Sequence, residues 1–239
     1  MQVNKSVIVL TTMLASMPQL PSYCPSKTLP VSTMNTSNPD IILRIGEYPD
    51  KPGKRLTLPT NESYPLPVKY NSAEDNYYIC EYYFNQKIAR ALYQYLKANN
   101  VNVILQDTQS KKEDLNAAGR MAKQKNPLIY LSIHTNSYED NSSGYFFLTN
   151  EGDNLSKEIA NQLSFTLKDN QLIPQMQNRI QNGYIGELNV KPGKINILGE
   201  FGFFSNKKEA RNLSSDQYVN YVAKHMGDEL IKIIKTLNN

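Results

Sequence analysis

The chain is short of the side chains on which most catalytic chemistry runs. Its 239 residues include two histidines, two cysteines and no tryptophan. Cys24 and Cys80 stand far apart, so neither a zinc-binding cysteine pair nor a CxxC redox motif can be built. No glycine-rich phosphate loop and no Ser-His-Asp ordering is present, which argues against nucleotide chemistry and serine hydrolysis. The net charge of +4 is small and interspersed, which gives no argument for a nucleic-acid partner, and none is expected, while it would suit a polyanionic surface. No apolar run reaches the roughly 20 residues needed to span a bilayer.

The apolar stretch Val7–Ser16, preceded by Lys5, has instead the length of a signal-peptide core, and the prolines at 18, 21, 25 and 30 prevent its continuation as a helix or strand. Residues 1–17 are therefore expected to be an export signal, placing the protein in the periplasm or cell envelope. Membrane attachment would require an uncleaved leader or lipidation of Cys24, which follows Tyr23 rather than a small residue. Residues 18–39, rich in Pro, Ser, Thr and Asn, read as a linker. A single folded domain, expected to be monomeric, should occupy residues 40–239.

Asp40-Ile-Ile-Leu-Arg-Ile-Gly46 reads as a buried first strand. The prolines at 49, 52, 59, 65 and 67 mark 48–75 as a long irregular segment with room for one short strand. Phe84, Ile88, Leu92, Tyr95 and Leu96 have helical spacing and predict a helix over 81–98, stopped by Asn99-Asn100. Thereafter the pattern predicts strand 101–106, helix 114–124, strands 128–134 and 144–149, helix 153–168, strand 195–201 and helix 215–236. Strands separated by helices imply parallel crossovers, hence an α/β domain: one mixed, mostly parallel sheet of about six strands with helices on both faces.

Ser132-Ile-His134-Thr-Asn136 emerges from the apolar run Leu128–Leu131, and Glu200 interrupts the run beginning at Ile195. With Glu47 after the first strand, three separated segments deliver polar groups to the carboxyl ends of strands, where ligands bind in such sheets. A strand-end imidazole and a strand-end carboxylate are parts of metal-assisted hydrolysis. A carboxylate between Leu198 and Phe201 needs a partner or a task, and its phenylalanine neighbours could raise its pKa toward neutrality. Glu187, Glu139 and Asp140 read as surface carboxylates, and His225 as a packing or surface residue on the last helix. Tyr77, Tyr78, Tyr82 and Tyr83 read as core packing, with a glycan-binding groove as the alternative.

Ser-Ile-His134-Thr-Asn followed by Gly144-Tyr-Phe-Phe-Leu is similar to the "SIHAN…G…" segment of the zinc-dependent N-acetylmuramoyl-L-alanine amidases. Leu198-Gly-Glu200-Phe-Gly-Phe-Phe-Ser-Asn206 resembles their "LVExGFxSN" segment, and Glu81-Tyr-Tyr-Phe-Asn85 their "ExxxN" helix. The resemblance implies a peptidoglycan hydrolase that cleaves the amide between the lactyl group of N-acetylmuramic acid and L-alanine. It also implies that His134 and Glu81 bind metal and that Glu200 is the general base. The family's first strand ends in "DxGHGG", and the matching stretch here is Arg44-Ile-Gly-Glu47, so Glu47 stands where the first zinc histidine should be. Glu47 is then either a third ligand or a loop carboxylate. A site of two carboxylates and one imidazole should hold Zn2+ more weakly and let Mn2+ compete. Ala118 is a second departure from the family, with Arg120 out of register for the arginine often found there. The alternative to an enzyme is a catalytically silent relative that binds cell-wall glycopeptide or a protein partner.

Overall fold

The computed structural model describes residues 38–47, 55–56, 68–71, 76–107, 115–182 and 186–238. The leader and, apart from residues 38–39, the linker lie outside these residues, as does Cys24.

A six-stranded sheet organises the domain: β1 (Ile41–Ile45), β5 (Val103–Gln106), β6 (Ile129–Asn136), β7 (Tyr145–Thr149), β8 (Gln175–Asn182) and β9 (Ile195–Phe203) in the order β5-β1-β6-β9-β7-β8. Every neighbouring pair is parallel except β7 with β9. Strands β2 (Arg55–Leu56), β3 (Val68–Asn71) and β4 (Asn76–Ile79) form a separate antiparallel sheet in the order β2-β4-β3. The segment expected to be irregular thus contributes two strands, and a third follows it. Their short, proline-flanked stretches are too brief for a period-two pattern to stand out.

Alternation along the central strands sorts the helices into two layers. Ile41, Leu43, Ile45, Ile129, Leu131, Ile133, Ile195, Ile197 and Phe201 face the main core, which they share with α1 (Glu81–Ala98), α3 (Asn154–Thr166), α5 (Lys207–Ser214) and α6 (Asp216–Asn238). The intervening Ile42, Tyr130 and Leu198 pack on the other face with Ala122 of α2 (Leu115–Gln124) and Leu188 of α4 (Gly186–Asn189). Helix α1 buries Phe84, Ile88, Leu92 and Leu96, a strict four-residue stripe, and ends where Asn100 turns left-handed at φ 62°. Asp153 caps α3 by accepting from the Ser156 N–H, and Asn206 caps α5 by accepting from the Lys208 and Glu209 N–H groups.

Three further elements escaped the sequence reading. Strand β8 is a polar edge strand whose Gln, Asn and Arg residues carry no apolar alternation, a composition that suits a sheet edge. Helix α4 has four residues, and α5 has eight, half of them charged, with Glu209, Ala210 and Leu213 buried. Glu209 earns its burial by accepting from the Gly144 and Phe203 N–H groups and from the Ser143 hydroxyl, tying α5 to the start of β7 and the end of β9.

Phe147 is 1 % exposed and meets Tyr145 and Phe201 edge to face at centroid distances of 6.4 and 5.9 Å. Phe147→Ala should cost about 3–5 kcal/mol and lower Tm by roughly 6–20 °C, read by thermal denaturation. A Tm within a degree of wild type would contradict this packing.

Candidate functional site

The site lies where β1, β6 and β9 end side by side. In the β6–β9 register His134 pairs with Glu200, so two adjacent parallel strands present them on the same face. The Gly46 N–H donates to the Ile133 carbonyl at 2.9 Å, which carries the Gly46-Glu47 peptide alongside His134. Gly46 is required by proximity: a Cβ there would lie 2.4 Å from His134 Cε1 and 2.5 Å from Nε2. Glu47 adopts a left-handed φ of 61°, a conformation that costs a non-glycine residue of order 1 kcal/mol or more and that recurs at functional sites.

Helix α1 delivers the next group from its first turn. Glu81 Oε1 is 3.3 Å from His134 Nδ1. Asn85, one turn further on, donates to both Glu81 Oε1 at 3.0 Å and the Gly46 carbonyl at 3.1 Å, and accepts from the Thr135 hydroxyl at 3.0 Å. The four-residue spacing places both side chains on one helix face, so a single buried amide fixes Glu81, the β1 exit and the β6 exit together. Ligand atoms of Glu47, Glu81 and His134 all lie within 4.8 Å of one another.

This donor set fits a divalent cation. Two ligands at about 2.0–2.1 Å from a tetrahedral centre are about 3.3–3.4 Å apart, and the Glu81–His134 contact already has that span. Glu200 Oε2 is buried without a hydrogen-bond partner among the described residues, as expected of a carboxylate whose partner is water or substrate.

Glu187 overturns the sequence reading. Expected at the surface, it is 1 % exposed and forms an ion pair with Arg44 at 2.9 Å; Arg44 itself is fully buried. The Tyr130 hydroxyl donates to Glu187 Oε2 at 2.9 Å, and Glu187 Oε1 stands 3.3 Å from His134 Nε2. Polar neighbours in the sequence concealed it. The available signal was Arg44 within the apolar run Ile41–Ile45, since a buried guanidinium requires a buried acid somewhere in the chain. The remaining residues fall as read: Glu139 and Asp140 are exposed, and His225 stacks on Tyr221 at 4.1 Å on α6. Tyr82 is buried and donates to Asp107 at 2.6 Å, while the side chains of Tyr77 and Tyr78 lie outside the described residues. Cys80 and Ala118 are buried and Arg120 is exposed.

The electrostatics follow from burial and crowding. Burial pushes the Glu200 carboxyl up to about 8; His134 opposes this, and Glu81, Glu47 and Glu187 add to it. Burial disfavours the His134 cation, but Glu187 and Glu81 on its two sides outweigh it and lift the imidazole to about 10. Burial also opposes ionisation of Glu187, yet Arg44 and His134 hold it down at about 2.

Gly46→Ala should displace the His134 ring and weaken divalent-metal binding at least 10-fold with the fold intact by circular dichroism; unchanged affinity in a chelator competition would remove His134 from the ligand set. In metal-stripped protein, the depressed Glu187 pKa contributes stability that is complete above about 4.5 and lost as pH falls toward about 2. Urea unfolding should therefore show a shallower loss between those pH values in the Arg44→Gln/Glu187→Gln double variant than in wild type; parallel profiles would refute it.

The family model described as N-acetylmuramoyl-L-alanine amidase matches residues 69–232. Curated protein sequences give no match. Among solved structures, the CwlD amidase from Clostridioides difficile, determined in complex with the GerS lipoprotein, aligns with a TM-score of 0.61 at 21 % identity, covering 84 % of this chain and 100 % of that one. The catalytic domain of CwlV, an N-acetylmuramoyl-L-alanine amidase from Bacillus (Paenibacillus) polymyxa var. colistinus, aligns at 0.59 with 21 % identity, covering 82 % and 97 %. The amidase AmiC2 of Nostoc punctiforme aligns at 0.56 with 17 % identity, covering 83 % and 99 %. At these identities the structures speak for the fold; the family model spans well over half of the sequence, and the chain belongs to the N-acetylmuramoyl-L-alanine amidase family.

Proposed function

We propose that this chain hydrolyses the amide between the lactyl group of N-acetylmuramic acid and L-alanine in peptidoglycan, with Glu47, Glu81 and His134 holding a divalent cation and Glu200 as general base. The observation that carries the reading is the meeting of those three ligand atoms within 4.8 Å, with Glu200 as the register partner of His134.

A cation held by Glu47, Glu81 and His134 would supply Lewis acidity to a water and to the carbonyl under attack. Glu200 accepts the water's proton on Oε2, the buried oxygen with no hydrogen-bond partner among the described residues, and returns it to the alanine nitrogen as the amide breaks. Its apolar flank, where Phe203 meets Phe146 at a centroid distance of 6.2 Å, favours the proton-carrying form, and a nearby dication offsets that preference. Glu81 is held by Asn85 and His134 by Gly46, so neither ligand must reorganise on binding.

Zinc is the proposed ion, with manganese competitive because two of the three donors are hard carboxylates. Peptidoglycan as substrate supports export to the cell envelope, through residues 1–17 as signal and 18–39 as tether. No helix among the described residues is long and apolar enough to cross a membrane.

Glu200→Gln should lower the release of free stem peptides from purified sacculi by about 10²–10⁴-fold while leaving metal content unchanged; retained activity would exclude Glu200 as the base. Glu47→His should raise zinc affinity in a chelator competition, and no change would place Glu47 outside the coordination shell.

A further inference from the structure

His134 presents two ring nitrogens to two different acids. Nδ1 faces Glu81 Oε1, a member of the ligand cluster, and Nε2 faces Glu187 Oε1, each at 3.3 Å. Nε2 and Glu187 Oε1 are both buried, and among the described residues neither makes an aligned hydrogen bond, so their mutual 3.3 Å contact is the one a small adjustment would turn into such a bond. Glu187 is itself immobilised: Oε2 takes the Arg44 guanidinium at 2.9 Å and the Tyr130 hydroxyl at 2.9 Å. A cation on the Nε2 side would approach a carboxylate already neutralised by a guanidinium, whereas the carboxylate at Nδ1 is Glu81, a member of the ligand cluster. Arg44 stands at the position where "DxGHGG" has its aspartate, three residues before Glu47. The first strand therefore exchanges an acid for a base and a histidine for an acid, and Glu187 supplies the countercharge for the first exchange.

We propose that Glu187 is a positioning residue that accepts the His134 Nε2–H and thereby directs the Nδ1 lone pair at the cation, with Arg44 and Tyr130 fixing Glu187 for that purpose. The inference rests on the reading of His134 as a metal ligand. An outer carboxylate of this kind sets ring orientation and tautomer, and its loss typically weakens metal binding by about 10–100-fold.

Two variants and one spectroscopic measurement test it. Glu187→Asp keeps the charge facing Arg44 but withdraws the oxygen from Nε2; Arg44→Gln/Glu187→Gln removes both charges and avoids stranding a buried guanidinium. Zinc affinity by chelator competition should fall by about 10–100-fold in whichever of these folds by circular dichroism. Long-range ¹H–¹⁵N correlation spectra of zinc-loaded wild type, which need no variant, should show His134 protonated on Nε2. Wild-type affinity in the folded variants, or a wild-type ring protonated on Nδ1, overturns the proposal. His134→Ala separates the two levels: loss of zinc binding there with Glu187 variants unaffected removes the positioning role alone, while zinc binding undiminished by His134→Ala removes the ligand reading beneath it.

Discussion

One imidazole, clamped between two carboxylates at the end of β6, is the contact on which the other features of the site depend. Glu81 holds one nitrogen of His134 and Glu187 faces the other, both at 3.3 Å, while Gly46 lies so close to the ring that no side chain could replace its hydrogen. Each neighbour comes from a different part of the chain: the exit of β1, the first turn of α1 and the short helix α4. The parallel arrangement of β1, β6 and β9 makes this possible, because it brings three strand ends to one edge and leaves the helices to close over it.

The cost of that convergence is crowded negative charge. Glu47, Glu81, Glu187 and Glu200 share one region with the Arg44 guanidinium and the His134 imidazole. The protein resolves part of the conflict by pairing Glu187 with Arg44, and part by protonation, since His134 and Glu200 are both pushed toward their proton-carrying forms. A dication offers a third resolution, taking the place of protons among the same groups, so metal binding and proton release should be linked here. Replacing a neutral histidine by Glu47 sharpens that linkage, since it adds an acid where the family pattern has a neutral donor.

How much of this was legible in the sequence depended on whether burial left a periodic trace. Helix α1 announced itself through its four-residue apolar stripe, and β1, β6 and β9 through continuous apolar runs, so the sheet centre and the strand-end positions of His134 and Glu200 could be read directly. The polar edge strand β8, the four-residue α4 and the charged α5 gave no such trace, because little apolar surface is at stake in them. Glu187 was missed for a related reason: its burial is electrostatic, answered by Arg44 some 140 residues away, and local composition carries no record of a long-range ion pair.

X-ray absorption at the metal edge of zinc-reconstituted protein tests the central claim most directly, because it reads the ligand atoms themselves. A first shell of one imidazole nitrogen with oxygens at about 2.0–2.2 Å is the predicted result. Two imidazoles, a sulfur ligand, or no stoichiometric metal after reconstitution would contradict a centre built on His134, Glu81 and Glu47.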